Sequence, residues 1–324
     1  AALHQIEASV ASGIWEAHRG CAALAGALLI HGRHVTEKSV PVITSRVRSS
    51  LEGTSRPPEM GGRLSFDAFR HHIVRELADC AQEPRELGHD VIYGAYVLRA
   101  LDVFAIEPWP SLLTAVVSLV REVKASGPGW ISVNGRNEVR PIPTSCDRGE
   151  ADCWTRFARL ERPRSMEIGD MQLGHLLTHG HAIHMLRSYA DASVIADMDV
   201  AHRRRTRCLE AARREEVDQA PLRTTAIDPR CERYWELMDA FGDMHGHVLK
   251  YACSFLDLKG SAASSEDLQA FGRIVWPQLA AAALEWKPGQ TPDRIRVGAP
   301  RNSGRLSAGL SPLRSTICSL GTGR

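Results

Sequence analysis

The sequence predicts an all-α protein, with one large helical domain over residues 1–287, long irregular loops and a disordered basic tail over 288–324. Three observations carry that prediction. Apolar residues recur at the three-to-four-residue spacing of a helix along most of the chain. Alternating strand patterns are nearly absent; the best, Trp130-Ile131-Ser132-Val133 before Asn134-Gly135, suffices for one short hairpin. From Pro288 onward Gly, Pro, Ser and Arg dominate, with six arginines against one aspartate, a composition with too little apolar surface to bury.

The helical periodicity falls over 3–31, 65–82, 86–107, 110–125, 151–161, 168–190, 199–217, 230–258 and 265–286. Ser65 ahead of the apolar run from Phe66 is a helix start signal, as is Ser264 with Glu266 and Asp267 in the following turn. Two stretches read as irregular. Residues 36–64 hold Arg56-Pro57-Pro58 and Gly61-Gly62, and 126–149 hold Gly127-Pro128-Gly129 and Pro141-Ile142-Pro143. Loops of that length suit lids or binding walls. Trp109, and Trp130 in the second stretch, offer stacking surfaces or ordinary core packing. No internal repeat is evident, which argues against a solenoid.

Composition narrows the function classes. A chain of 324 residues is long enough for one large core or two smaller ones. With 40 basic and 38 acidic side chains the net charge is only +2, so no field draws the protein to nucleic acid or an anionic membrane, and neither partner is expected. The stretch from Arg203 to Glu216 mixes arginines with acids and carries no aromatics, as a solvated helix face does. The eight cysteines show no C-x-x-C pair, so they are expected reduced and mostly packed. The longest apolar run, Cys21 to Ile30, is too short to span a bilayer. No basic-then-apolar leader is visible, so a cytoplasmic setting is expected. The chain opens on Ala1, and its natural start is expected upstream.

The clearest chemical signal is a set of histidines in four separate helical stretches: His18, His89, His175, and His247 followed by Lys250. Imidazole binds iron, zinc and copper well, and helices distant in sequence can aim several at one point. In the last segment Asp243, His247 and Lys250 share one helical stripe, while His245 points elsewhere. The flanking Val248, Leu249, Ala252 and Phe255 bury that helix. A buried lysine loses its proton or finds a partner. As a neutral amine it can react with carbon dioxide to give a carbamate, an oxygen ligand for a metal. Asp243 can then hold the other histidine nitrogen. The alternative is a snorkelling lysine beside an exposed histidine.

The other segments are open in the same way. His89 begins an apolar helix containing Gly94 and Ala95, which admit close neighbours; alone it reads more readily as a cap or surface residue. In 174–187, His175 and His179 lie four apart on one face and make a plausible ligand pair, while His181 and His184 fall on the far side as a surface pair. His18 precedes the small, apolar run Gly20 to Leu28, and alone reads as a satisfied core histidine.

Together these segments resemble the questin oxidase-like family, helical oxygenases of anthraquinones and related aromatic polyketides. The matching residues are His18-Arg19-Gly20-Cys21-Ala22-Ala23-Leu24, His89 through Arg99-Ala100-Leu101, His175 with Thr178 and Ala182, and His247-Val248-Leu249-Lys250. The helix Leu268 to Trp286 also fits, and the likeness spans roughly residues 10–287. It implies an oxygenase that cleaves or inserts oxygen into an aromatic ring, using dioxygen. It further implies non-haem Fe(II) held by His18, His89, His175, His247 and a carboxylated Lys250, with His179 as the alternative third-segment ligand. Some members of the family are described as NADPH-dependent Baeyer–Villiger oxidases. The chain departs from the pattern at Asp90, where a small residue is usual, and at His245, where an acid is usual.

Two other readings stand beside it. His71-His72 with His89-Asp90 in a helical chain suits an HD-type metal-dependent phosphohydrolase, in which His89 and Asp90 meet one metal beside His71 or His72 and Lys250 has no role. A helical binding module without catalysis predicts scattered histidines and no closed site.

Overall fold

The computed structural model describes residues 1–10, 13–53, 62–79, 81, 86–125, 153–160, 166–214, 226–241 and 246–283. Among them are twelve α-helices and no strand, so the chain is all-α. The predicted hairpin at 130–135, the loop 126–149 and the tail 288–324 lie outside the described residues.

Four helices make the frame of the site: α2 (Ile14–His31), α5 (His89–Val103), α8 (Met166–Leu186) and α11 (His247–Lys259). Each touches the next, α2 with α5, α5 with α8, α8 with α11 and α11 with α2, which closes a four-helix ring. Three of the four are apolar nearly all round, and burial follows. Every residue from Gln172 to Ile183, from His89 to Leu98 and from His247 to Leu256 is buried.

The remaining helices jacket that ring. α1 (Ala2–Ser9) and α3 (Val40–Ser50) lie on α2, α6 (Pro110–Ala125) lies on α5 and α1, and α4 (Phe66–Ala78) lies on α5 and α6. α7 (Cys153–Arg159), α9 (Ala192–Arg214) and α12 (Ser265–Ala283) cover α8, and α10 (Glu232–Phe241) packs on α3 and α12. The Ser65 hydroxyl caps α4 by accepting from the Ala68 amide at 3.2 Å, as the sequence suggests.

The structure corrects several boundaries. The periodicity over 3–31 is two helices, because Gly13 between them takes φ +94° and the chain doubles back. That lets Ile6 of α1 sit against Gly20 of α2, where an added Cβ would lie 2.5 Å from Ile6 Cγ1. The pattern over 230–258 likewise divides into α10 and α11, with Gly246 at φ +71° opening the second. Within the stretch 36–64, expected to be irregular, residues 37–50 are a short 3-10 turn followed by α3. Its β-branched Val40, Val42, Ile43 and Thr44 are weak helix formers, and Pro41 reads as a breaker. Proline is tolerated in a first turn, however, and burial of Ile43 beneath Gly26 of α2 fixes the segment. No described helix is long and apolar enough to cross a membrane.

Candidate metal centre

Each helix of the ring delivers one histidine to its middle. His89 and His247 are the first residues of α5 and α11, and each follows a glycine in the left-handed region, Gly88 at φ +81° and Gly246 at φ +71°. Those glycines are required twice over. A side chain there would be strained, and it would strike His179 at Gly88 and Ala22 at Gly246. Gly174, immediately before His175, is held to hydrogen by the Tyr251 hydroxyl, which occupies the place of a side chain.

The imidazoles follow the ring of helices. Ring centroids stand 4.4 Å apart for His18 and His89, 4.7 Å for His89 and His175, 4.9 Å for His175 and His247, and 5.0 Å for His247 and His18. The diagonal from His18 to His175 is 5.9 Å. All four are buried, none more than 2% exposed. Lys250, one turn beyond His247 and 1% exposed, brings its Nζ to 2.7 Å from His18 Nδ1.

The donor set fits a metal ion. His18, His175 and His247 each offer a ring nitrogen, and these lie within 4.8 Å of one another. His89 joins through His175, with their Nε2 atoms 3.0 Å apart. Two nitrogens bound to one ion at about 2.1 Å and near a right angle stand about 3 Å apart, so that contact has the length of a ligand edge. Burial, and next Lys250, holds His18 well below the usual imidazole range, which keeps it a neutral lone-pair donor. Tyr93, one turn after His89, lies 5.4 Å from the His89 ring and 5.8 Å from the His18 ring. Tyr251, one turn after His247, lies 5.8 Å from that ring. These two tyrosines were missed in the sequence, although each follows its histidine at the four-residue spacing that shares a helix face. Cys21, one turn after His18, is a buried thiol that burial pushes up to about 12.

Other expectations change. His179 is not in the group. It faces outward from the ring to His202 of α9, Nδ1 to Nδ1 at 3.3 Å, because four residues of helix advance 400° rather than 360° and α9 covers that side. His181 is no surface residue. It is fully buried, with Nε2 2.9 Å from Asp257 Oδ2 and Nδ1 3.1 Å from Ser254 Oγ, whereas His184 is exposed as expected. Arg205, read as part of a solvated face, is 3% exposed and donates to Gln172 Oε1 at 2.7 Å. His71 and His72 stand exposed on α4 and are not members of the buried group, and Lys250 is at its heart, the reverse of the phosphohydrolase pattern. Trp109 bonds to Glu7 Oε2 at 3.2 Å and stacks near His4. Asp243, His245 and Trp130 lie outside the described residues. The described free cysteines are Cys21 and Cys253, both buried, half-buried Cys153 and exposed Cys231.

No protein-family model, curated protein or solved structure matches this chain.

Proposed function

We propose that this chain is an oxidoreductase, a non-haem-iron oxygenase acting on an aromatic polyketide of anthraquinone type with dioxygen. The observation that carries the reading is the meeting of four histidines and Lys250 from four helices at one buried point. The likeness of those same segments to the questin oxidase-like family supplies the metal and the substrate class. Bound there, Fe(II) would supply activation of dioxygen next to an electron-rich ring.

The chain's own residues do the rest. His18, His89, His175 and His247 would hold the ion, with His18 Nδ1 2.7 Å from Lys250 Nζ. Lys250 becomes the anionic ligand when its neutral amine attacks carbon dioxide, forming an N–C bond and releasing one proton. The amino termini of α5 and α11 both point at the centre, and their positive ends favour that anion. Burial of all five residues excludes water, which protects reactive oxygen species from side reactions.

Metal analysis tests the reading. Anaerobic loading is expected to give one iron per chain, lost in His247→Ala and weakened in Lys250→Ala, with bicarbonate strengthening binding only in the wild type. A wild type that takes up no stoichiometric iron defeats the proposal. Dioxygen uptake with hydroxylated anthraquinones then tests the substrate class.

A further inference from the structure

We propose that Cys153 is a reactive thiol, a site of oxidation by hydrogen peroxide, and that the buried imidazole of His202 activates it. The inference is independent of the metal centre. It grows from the second buried polar cluster, where α7 and α9 both pack on α8.

Gly180 of α8 lets the two side chains meet. A Cβ there would lie 2.7 Å from Cys153 Cβ, 3.0 Å from His202 Cε1 and 3.2 Å from His202 Nε2. The cysteine carbon and the Nε2 edge of the imidazole therefore face each other across a residue with no side chain to part them. His202 is fully buried, and its Nε2 bonds to nothing, because the contact with His179 at 3.3 Å uses the other nitrogen, Nδ1. An imidazole nitrogen kept from water without a partner is costly. The half-buried Cys153 thiol is the group beside it, and rotation about Cα–Cβ carries Sγ toward that nitrogen.

Both tautomers of His202 serve. Burial, then His179 and the arginines Arg156, Arg205 and Arg203, holds it well below the usual imidazole range, so the ring is neutral with one hydrogen. When Nδ1–H donates to His179, Nε2 accepts from the thiol. When His179 donates instead, Nε2–H donates to the sulfur. Either arrangement favours negative charge on sulfur. The charged surroundings act in the same direction. Arg156 stands three residues after Cys153, on the same face of α7, and shares Asp199 with Arg187, at 3.5 Å and 2.8 Å. The cations that repel a metal ion here favour an anion, and the thiolate is the nucleophilic form of cysteine.

Hydrogen peroxide suits the site because it is small enough to reach a half-buried sulfur and leaves as hydroxide, an anion that guanidinium groups favour. The sulfur attacks one peroxide oxygen, an S–O bond forms and the O–O bond breaks. The departing hydroxide takes up the thiol proton and leaves as water. Thiol and peroxide thus become sulfenic acid and water, with sulfur oxidised and peroxide reduced by two electrons.

Peptide-resolved mass spectrometry of the metal-free full chain, after brief exposure to hydrogen peroxide, tests this. Cys231 of the same molecules is the control, since it is exposed and desolvation, then Asp228, pushes its thiol up. Cys153 is expected to lose its thiol at least about tenfold faster than Cys231, although it is the less exposed of the two. Reactivity set by exposure alone would give the opposite order. His202→Leu is expected to slow Cys153 at least about fivefold and to leave Cys231 unchanged. Loosened packing alone would speed Cys153, so the direction separates activation from a structural role. A Cys153 that reacts no faster than Cys231, or that keeps or exceeds its rate in His202→Leu, overturns the proposal. If His202→Leu does not fold, Arg156→Gln carries the second test, with a slower Cys153 supporting the proposal and an unchanged or faster one overturning it.

Discussion

His175 and His179 are one turn apart on α8, equally buried and equally plausible as ligands by spacing, yet they meet opposite surroundings. His175 turns into the ring of helices, where three more imidazoles and Lys250 converge. His179 turns toward α9 and meets His202, with the cationic Arg205 close enough to act on it. Burial, then Arg205, lowers His179 to about 3, and burial, then His179 and the arginines Arg156, Arg205 and Arg203, holds His202 well down. Arginine cannot give up its charge, so a cation near His179 is repelled. The lysine beside His18 can lose its charge and even reverse it. What separates a candidate metal centre from a pair of core histidines here is the chemistry of the neighbouring base.

Removing His247 is the strongest way to break this comparison. His247→Ala deletes a ring nitrogen at the centre and is expected to abolish stoichiometric metal binding. His179→Ala, equally buried and on the same helix as His175, is expected to leave it intact. Equilibrium dialysis against Fe(II) or Co(II) checks both, and equal losses in the two variants would erase the distinction.

Next in size is the backbone that aims the ligands. Gly246→Ala forces a side chain into the left-handed region and drives its Cβ onto Ala22. Strain and overpacking together are expected to cost about 2–5 kcal/mol, read as a lower urea midpoint, with metal affinity falling as His247 is displaced. Gly260→Ala is the control. It has φ +52° with open space around it, and should lose only the strain part.

How far the sequence foretold these two regions differs for physical reasons. The helical content was legible because buried apolar faces repeat with helical period, and the five residues of the centre were legible as polar interruptions of apolar helices. The separation of His175 from His179 was not, since both occupy one stripe of α8 and only the placement of α9 decides which meets arginine. His181 was misjudged for a related reason. From Gln172 to Ile183 α8 is buried all round, so His181 has no exposed face to reach, and its polarity is satisfied by Asp257 and Ser254 on α11, 73 or more residues away. α3 was hidden because β-branched residues and Pro41 disguise a helix that packing stabilises.

The His179–His202 contact gives a smaller effect with a distinctive pattern. Each ring satisfies the other out of water, so His202→Leu alone leaves His179 facing an apolar group and is expected to cost about 1–3 kcal/mol. Replacing both by Leu should cost less than the sum of the two single changes, because neither polar atom is then stranded. Additive losses in a double-mutant cycle would mean that the rings do not depend on each other. Metal content should not move in any of the three variants, which sharpens the contrast with His247.

The smallest effect is a pH dependence carried by Asp257. Its carboxylate lies at about 2 instead of its ordinary 3.8, chiefly through the hydrogen bond from His181. A carboxyl group depressed in the folded state adds stability that is fully present above 3.8 and is lost as pH falls through about 2. With the side chain 30% exposed, solvent screening trims the full linkage value, leaving about 1–2 kcal/mol. Wild type should therefore lose more stability than Asp257→Asn across that acid window, while the two run parallel above it. Urea midpoints measured along the acid range decide the matter. If the difference between the two proteins stays constant from neutral pH to the bottom of the window, Asp257 holds no preferential grip on His181 in the folded state, and the polar link between α8 and α11 is no stronger than an exposed ion pair.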